Sequence, residues 1–288
     1  MMYSFDITKL NELISAIIRA NVTIDAMNWL KRSVVDQNSI SGFNLSFAAL
    51  PKKSGKAVLD ITNAQIKECL AIRPGFLVEE WTTDRLCRVW FLMQTDASEK
   101  DNYFRKIDNL FLSAEMNEQV ALYSSLPVLA YPEIWIKRCA EGIRSNIDSV
   151  LESIMYFNSY PAENLEEPAW NQMILKAFFT NKKVERIAGL DLRANNELAH
   201  ILSEYAKERW AAGRMVNPML WRLVGKFIDE QLLSNLTQGL ETRDETEKKA
   251  MVLALSESSY GPAKKLLEDP KLKALVSHSL SWESFETV

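Results

Sequence analysis

The stretch MVLALSESSYGPAKKLLEDPKLKALV, Met251 to Val276, is the one that decides the fold class. It reads as an Ala/Leu-rich helix, a turn marked by Gly261-Pro262, and a second helix built on Leu266 and Leu267. Two such helices joined by a short turn form a hairpin of the kind that HEAT repeats stack. Working outward, the same helical spacing recurs. Leu198, Ile201, Leu202 and Tyr205 make one stripe, and Met173, Ile174, Ala177 and Phe178 another. Ile147, Val150, Leu151, Ile154 and Met155 precede them, with Val120, Tyr123, Leu126 and Leu129 before those. Phe104, Ile107, Leu110 and Phe111 follow the pattern, as do Leu10, Ile14, Ile17 and Ile18 near the start. Each places its apolar residues on one face of a helix.

Proline falls between the stripes, at Arg73-Pro74-Gly75, Tyr131-Pro132, Tyr160-Pro161, Asn217-Pro218 and Gly261-Pro262. Lacking the amide that a helix interior needs, it ends one helix or opens the next. Ser145, Asp191 and Asn195 are of the type that caps a helix start. Only AVLDIT, Ala57 to Thr62, has strand character, and it follows a polar loop at Pro51 to Lys56. A lone strand has nothing to pair with, so it reads as extended loop or helix start. Nine glycines in 288 residues count against Gly-rich nucleotide loops, barrels and sandwiches. The expectation is an all-α chain: a single helical domain over 1–288 forming an irregular α-α superhelix of HEAT-like hairpins. A compact helical bundle is the alternative.

Hydrophobic residues make up 47% and charged residues 25%, enough apolar content for a sizeable core. The 34 basic and 38 acidic side chains are interleaved, which argues against a nucleic-acid surface, since phosphate binding concentrates Lys and Arg. Cys69, Cys87 and Cys139 are odd in number and form no CxxC, so buried thiols in a reducing compartment are expected. Asp6, Lys9, Glu12 and Arg19 break up any leader-like apolar run. The longest apolar run, Val89 to Met93, is far short of the roughly 20 residues that span a bilayer. These features predict a cytoplasmic protein that is not integral to a membrane.

Motif searches for chemistry return little. GxSxG, GxxxxGK[ST], GxGxxG and HExxH are absent. His200 and His278 are the two histidines, and His278 sits among serines near the tail. Glu197-Leu-Ala-His200 has the Glu-x-x-His spacing of di-iron bundles, with Glu204 and Glu208 on the same helical face. The mate is missing, because Leu275 stands three places before His278, so a solvated polar face and no metal is the reading. Lys52, Lys53 and Lys56 around Gly55 make a small basic loop without phosphate-loop spacing, read as a solvated turn.

The densest group of unusual residues is Trp170, Asn171, Asp191, Arg193, Asn195, Glu208, Arg209, Trp210, Arg214 and Trp221, with Arg222 beside it. Arginine next to tryptophan can line a pocket, stacking on a ring and forking to a carboxylate. It can equally clamp helices together, with Asp191 paired to a neighbouring Arg. A helix over 194–214 would span roughly 30 Å at about 1.5 Å per residue, so its ends cannot meet. Two clusters are therefore expected, one at Asp191/Arg193 and one at Arg209/Arg214 facing Trp221.

At these residues the sequence resembles the EboA domain family. The matching stretches are PKKSGKAVL (Pro51 to Leu59), RPG (Arg73 to Gly75), and Trp81 with Asp84 and Arg88. They continue in AWNQMILKAFF (Ala169 to Phe179), GLDLRAN (Gly189 to Asn195), ERWAAGR (Glu208 to Arg214) and LWRLVGKF (Leu220 to Phe227), with the C-terminal hairpin. The resemblance covers about Val35 to Trp282 and leaves the first 35 residues out. It implies an accessory protein of a bacterial and algal-plastid gene cluster that includes a UbiA-type prenyltransferase, a sugar-phosphate-cyclase-like protein and TIM-barrel metal-dependent proteins. Such clusters make a small metabolite or move one across the inner membrane to the periplasm, as for a sunscreen-pigment precursor. No catalytic residue and no cofactor carries over. The expected function is a non-catalytic scaffold that binds a cluster partner or a metabolite. An enzyme using Asp191, Arg193, Glu208, Arg209 and Arg214, or a ligand-free adaptor, are the alternatives.

Overall fold

The computed structural model describes residues 3–35, 39–242, 244–275 and 280–286. Val276 and His278 lie outside them. The chain is all-α, and its only β pairing among the described residues is a single bridge between Val58 and Thr82. It divides into two compact units, Met1–Leu165 and Glu166–Val288. None of the described helices is long and apolar enough to cross a membrane.

The first unit holds α1 (Ile7–Asn21), α2 (Ile24–Val35), α3 (Ile40–Ser54), α4 (Asn63–Ile72), α5 (Thr83–Met93), α6 (Lys100–Ser113), α7 (Met116–Ser125), α8 (Ile136–Ile143), α9 (Asp148–Met155) and α10 (Tyr160–Asn164). Its centre is α5, which packs against α1, α2, α3 and α7. The apolar run Val89 to Leu92 lies wholly inside because α5 is covered on several sides and needs no polar face there. Alternate helices α3, α5, α7 and α9 lean on one another in a row.

Burying α5 also takes two charges inside. Arg88 and Asp84 are 3% and 5% exposed and pair one turn apart at 3.1 Å, with Glu118 of α7 3.6 Å from the same guanidinium. Burial pulls Arg88 below its usual pKa, and the Asp84 and Glu118 carboxylates oppose that shift. The third partner of Arg88 explains a departure from expectation. Pro51 to Ser54 is not loop but the last turn of α3, with Pro51 inside the helix. Proline has no N–H to give the Phe47 carbonyl four residues back. Arg88 Nε donates to that carbonyl at 3.3 Å instead, so the vacancy in the helix ladder is filled from α5.

The extended segment after α3 does find a partner. Leu59 N donates to Trp81 O and Thr83 N to Ala57 O, both at 2.8 Å, before Thr62 closes a capping box with Gln65 and starts α4. Ser145 is not a helix cap. Its hydroxyl accepts from Ile147 N in the turn before α9, and Ile147 occupies the cap position.

The second unit holds α11 (Glu167–Phe179), α12 (Asn196–Ala211), α13 (Glu230–Thr242), α14 (Glu245–Glu257), α15 (Gly261–Leu266) and α16 (Pro270–Lys273). Here α14 is central, contacting α13, α15 and the 3-10 turns Pro218–Leu223 and Gly225–Phe227. Gly225 permits the close approach of its turn to the α14 backbone, since a Cβ there would stand 2.8 Å from the Ala254 carbonyl oxygen. The expected C-terminal hairpin is present only in its first arm. Its second arm is two short helices, because Pro270 cannot continue the helix and Asp269 caps a new one.

Candidate functional site

The Trp/Arg-rich residues sit on α11, α12 and the turns around them. Asn195 is the cap of α12, its side chain accepting from Leu198 N at 2.8 Å. The same amide exchanges two hydrogen bonds with Asn171 of α11, at 2.9 and 3.2 Å, which ties the two helices together. Arg193 lies over the ring of fully buried Trp170, 5.2 Å from its centroid. Asp191 does not cap a helix. It takes a bidentate fork from Arg222 at 2.8 and 2.6 Å, because the turn before α12 lies alongside the Pro218–Leu223 turn.

The far end of α12 is arranged differently from the sequence expectation. The helix stops at Ala211, so Arg214 lies beyond it and is exposed, as is Glu208. Trp210, not Arg209, faces Trp221; their rings stack with centroids 5.8 Å apart. Trp210 Nε1 donates to Glu247 of α14 at 2.8 Å, and Glu247 is itself 2% exposed. Sequence reasoning missed Glu247, whose only signal was a carboxylate in the first turn of a Leu-rich helix. His200 bonds Asp229 at 3.0 Å. No three His, Cys, Asp or Glu side chains gather as metal ligands among the described residues.

Of the ten residues singled out by sequence, Arg209 alone lines a cleft of about 620 Å³. Two helix ends build its walls. At the end of α11, Asn181 adopts a left-handed φ of 52°. Lys182 N returns to Ala177 O at 2.8 Å and Asn181 N to Phe178 O at 3.2 Å, a Schellman turn that brings Lys182 and Lys183 into the cleft lining. At the end of α12, Gly213 takes φ 66°, and Arg214 N and Gly213 N close the matching turn on Arg209 O and Trp210 O. That reversal brings the Met215 carbonyl to the Arg209 guanidinium, which grips it through Nε and Nη2 at 3.0 and 2.8 Å. Tyr205 flanks the same guanidinium at 5.9 Å. Phe178, Val216, Pro218 and Met219 give the cleft its apolar lining. Phe178 and Tyr205 were legible only as members of apolar stripes, and nothing in the sequence set them apart from core.

A family model described as the metabolite traffic protein EboA matches residues 10–225. The chain belongs to this family. The match begins earlier and ends sooner than the quoted stretches suggested: it takes in α1 and α2 and stops before the C-terminal hairpin. Inclusion of α1 has a structural reason, since α1 packs directly on the central α5. Most of the cleft lining, from Phe178 to Met219, falls within the family region, and Phe285 and Glu286 lie beyond it. No curated protein and no solved structure matches the chain.

Nucleophile chemistry finds little support in the thiols. Cys69, Cys87 and Cys139 are free and buried, and burial pushes each thiol up to about 12. A thiol is reactive as its thiolate, and at that pKa almost none forms near neutrality. Native protein at pH 8 is therefore expected to take up no iodoacetamide over an hour, whereas urea-unfolded protein takes up three. Mass spectrometry showing a rapidly labelled native thiol would contradict this.

Proposed function

We propose that this protein holds a small metabolite in the cleft between the ends of α11 and α12 and hands it on without transforming it. The observation that carries this reading is the cleft itself. A space of about 620 Å³ is in the range of small-molecule sites, and an arginine held in place by the Met215 carbonyl stands at its wall. Family membership supports a part in metabolite handling. The carriage role, rather than catalysis, is supported by the state of the polar groups. Asp191, Asn171, Asn195 and Trp210 are occupied in holding helices together, and the thiols are buried. We place the protein in the cytoplasm, in keeping with three free thiols, and assign the delivery of its cargo to other products of the same cluster.

The test is purification from a host expressing the whole cluster, followed by native mass spectrometry. Wild-type protein is expected to carry a small molecule that Met219→Trp, which fills the cleft, does not. Retention of the same molecule by a folded Met219→Trp variant would overturn the assignment of the site.

A further inference from the structure

The arginine in the cleft has more donors than the fold uses. A guanidinium carries five N–H groups. The Met215 carbonyl engages Arg209 through Nε and Nη2 alone. Among the described residues, no carboxylate lies within ion-pair distance of Arg209, and its Nη1 has no hydrogen-bond partner. The contrast with other arginines is clear: Arg73 forks to Glu163, Arg88 pairs with Asp84, Arg138 with Asp108 and Arg222 with Asp191. Arg209 is instead pre-set by a neutral carbonyl, which fixes the plane of the guanidinium without cancelling its charge. What stays available is the Nη1/Nη2 edge, the edge that takes a carboxylate or phosphate in a bidentate fork.

The surroundings fix the rest of the ligand. Lys182 and Lys183 line the cleft along with Glu185 and Glu286, so its three cations outnumber its two carboxylates; Phe178 and Met219 add apolar surface, and the Tyr205 ring lies beside the guanidinium. We infer that the ligand of this cleft is an amphipathic oxyanion: a carboxylate or phosphate group seated on Arg209, joined to an apolar or aromatic body lying against Phe178 and Met219. This rests on the cleft being the binding site, and it deepens that reading by naming the chemical class.

The experiment uses the full chain and a matched set of probes, 4-phenylbutyrate, 4-phenylbutyl phosphate, 4-phenylbutanol and 4-phenylbutylamine, by isothermal titration calorimetry at low salt. One or both anionic probes should bind at least tenfold more tightly than the alcohol, and the amine most weakly. Their ratio distinguishes a carboxylate seat from a phosphate seat. Arg209→Gln should bring the anions to parity with the alcohol, and Arg209→Lys should restore part of the preference. Circular dichroism checks that the variants fold. Equal binding of alcohol and anion, tighter binding of the amine, or binding of none of the four would overturn the inference. The outcome is separable from that of the site assignment, because Met219→Trp should abolish binding of every probe whatever its charge.

Discussion

Arg88→Ala is expected to cost about 3–5 kcal/mol, the range for removing one partner of a buried ion pair. Three groups lose their partner at once. Asp84 is left buried without its cation, Glu118 loses the nearest positive charge, and the Phe47 carbonyl loses the donor that replaces the missing amide of Pro51. The last of these can be isolated. Pro51→Ala restores a backbone N–H at the place where the helix ladder lacks one. Arg88→Ala should then cost about 1 kcal/mol less in a Pro51→Ala background than in the wild type, one hydrogen bond's worth. Urea unfolding of the four proteins in this cycle, followed by circular dichroism, measures both quantities. A single-variant cost below about 1 kcal/mol, the value of an exposed pair, would show that Arg88 is not buried as described. A coupling of zero would remove Pro51 from the account.

Trp221→Ala should be about as damaging, roughly 3–5 kcal/mol, because a fully buried indole leaves a cavity that neighbouring turns cannot fill. Substitution by phenylalanine separates the two stacked tryptophans. Trp221 Nε1 is buried without an acceptor among the described residues, so Trp221→Phe removes an unsatisfied donor along with the packing it loses. Trp210 Nε1 donates to Glu247, so Trp210→Phe takes a hydrogen bond from a buried carboxylate. Trp210→Phe should therefore be the worse of the two, by about 1–3 kcal/mol. The reverse order in denaturant midpoints would mean that Glu247 does not depend on the indole. In the Trp210→Phe background, Glu247→Gln should recover part of the loss, since a neutral amide is easier to bury than a carboxylate that has lost one of its donors.

The sequence by itself determined the helices. Apolar residues at helical spacing, few glycines and proline between the stripes leave little choice, because these are local signals read within a few turns of chain. Asn195 was legible as a cap for the same reason: the bond it makes is three residues away. The apolar run Val89 to Met93 was legible as too short to span a bilayer, whereas the helices that bury Val89 to Leu92 were not. What the tertiary structure decided is the fate of the long polar side chains. An arginine can reach a partner anywhere within its arm's length in space, and sequence spacing says nothing of that. Asp191 stood among several arginines in the sequence, and only the approach of the Pro218–Leu223 turn selects Arg222. Arg88 fills a gap made by a proline 37 positions earlier in the chain, a coupling that exists only because α3 and α5 are packed together. Arg209 came to line the cleft in the same way, its guanidinium oriented only because the turn at Gly213 brings the Met215 carbonyl back to it. A fold written in periodicity can be read from the chain, whereas a site written in leftover hydrogen-bond donors is defined only when all the other partners are in position.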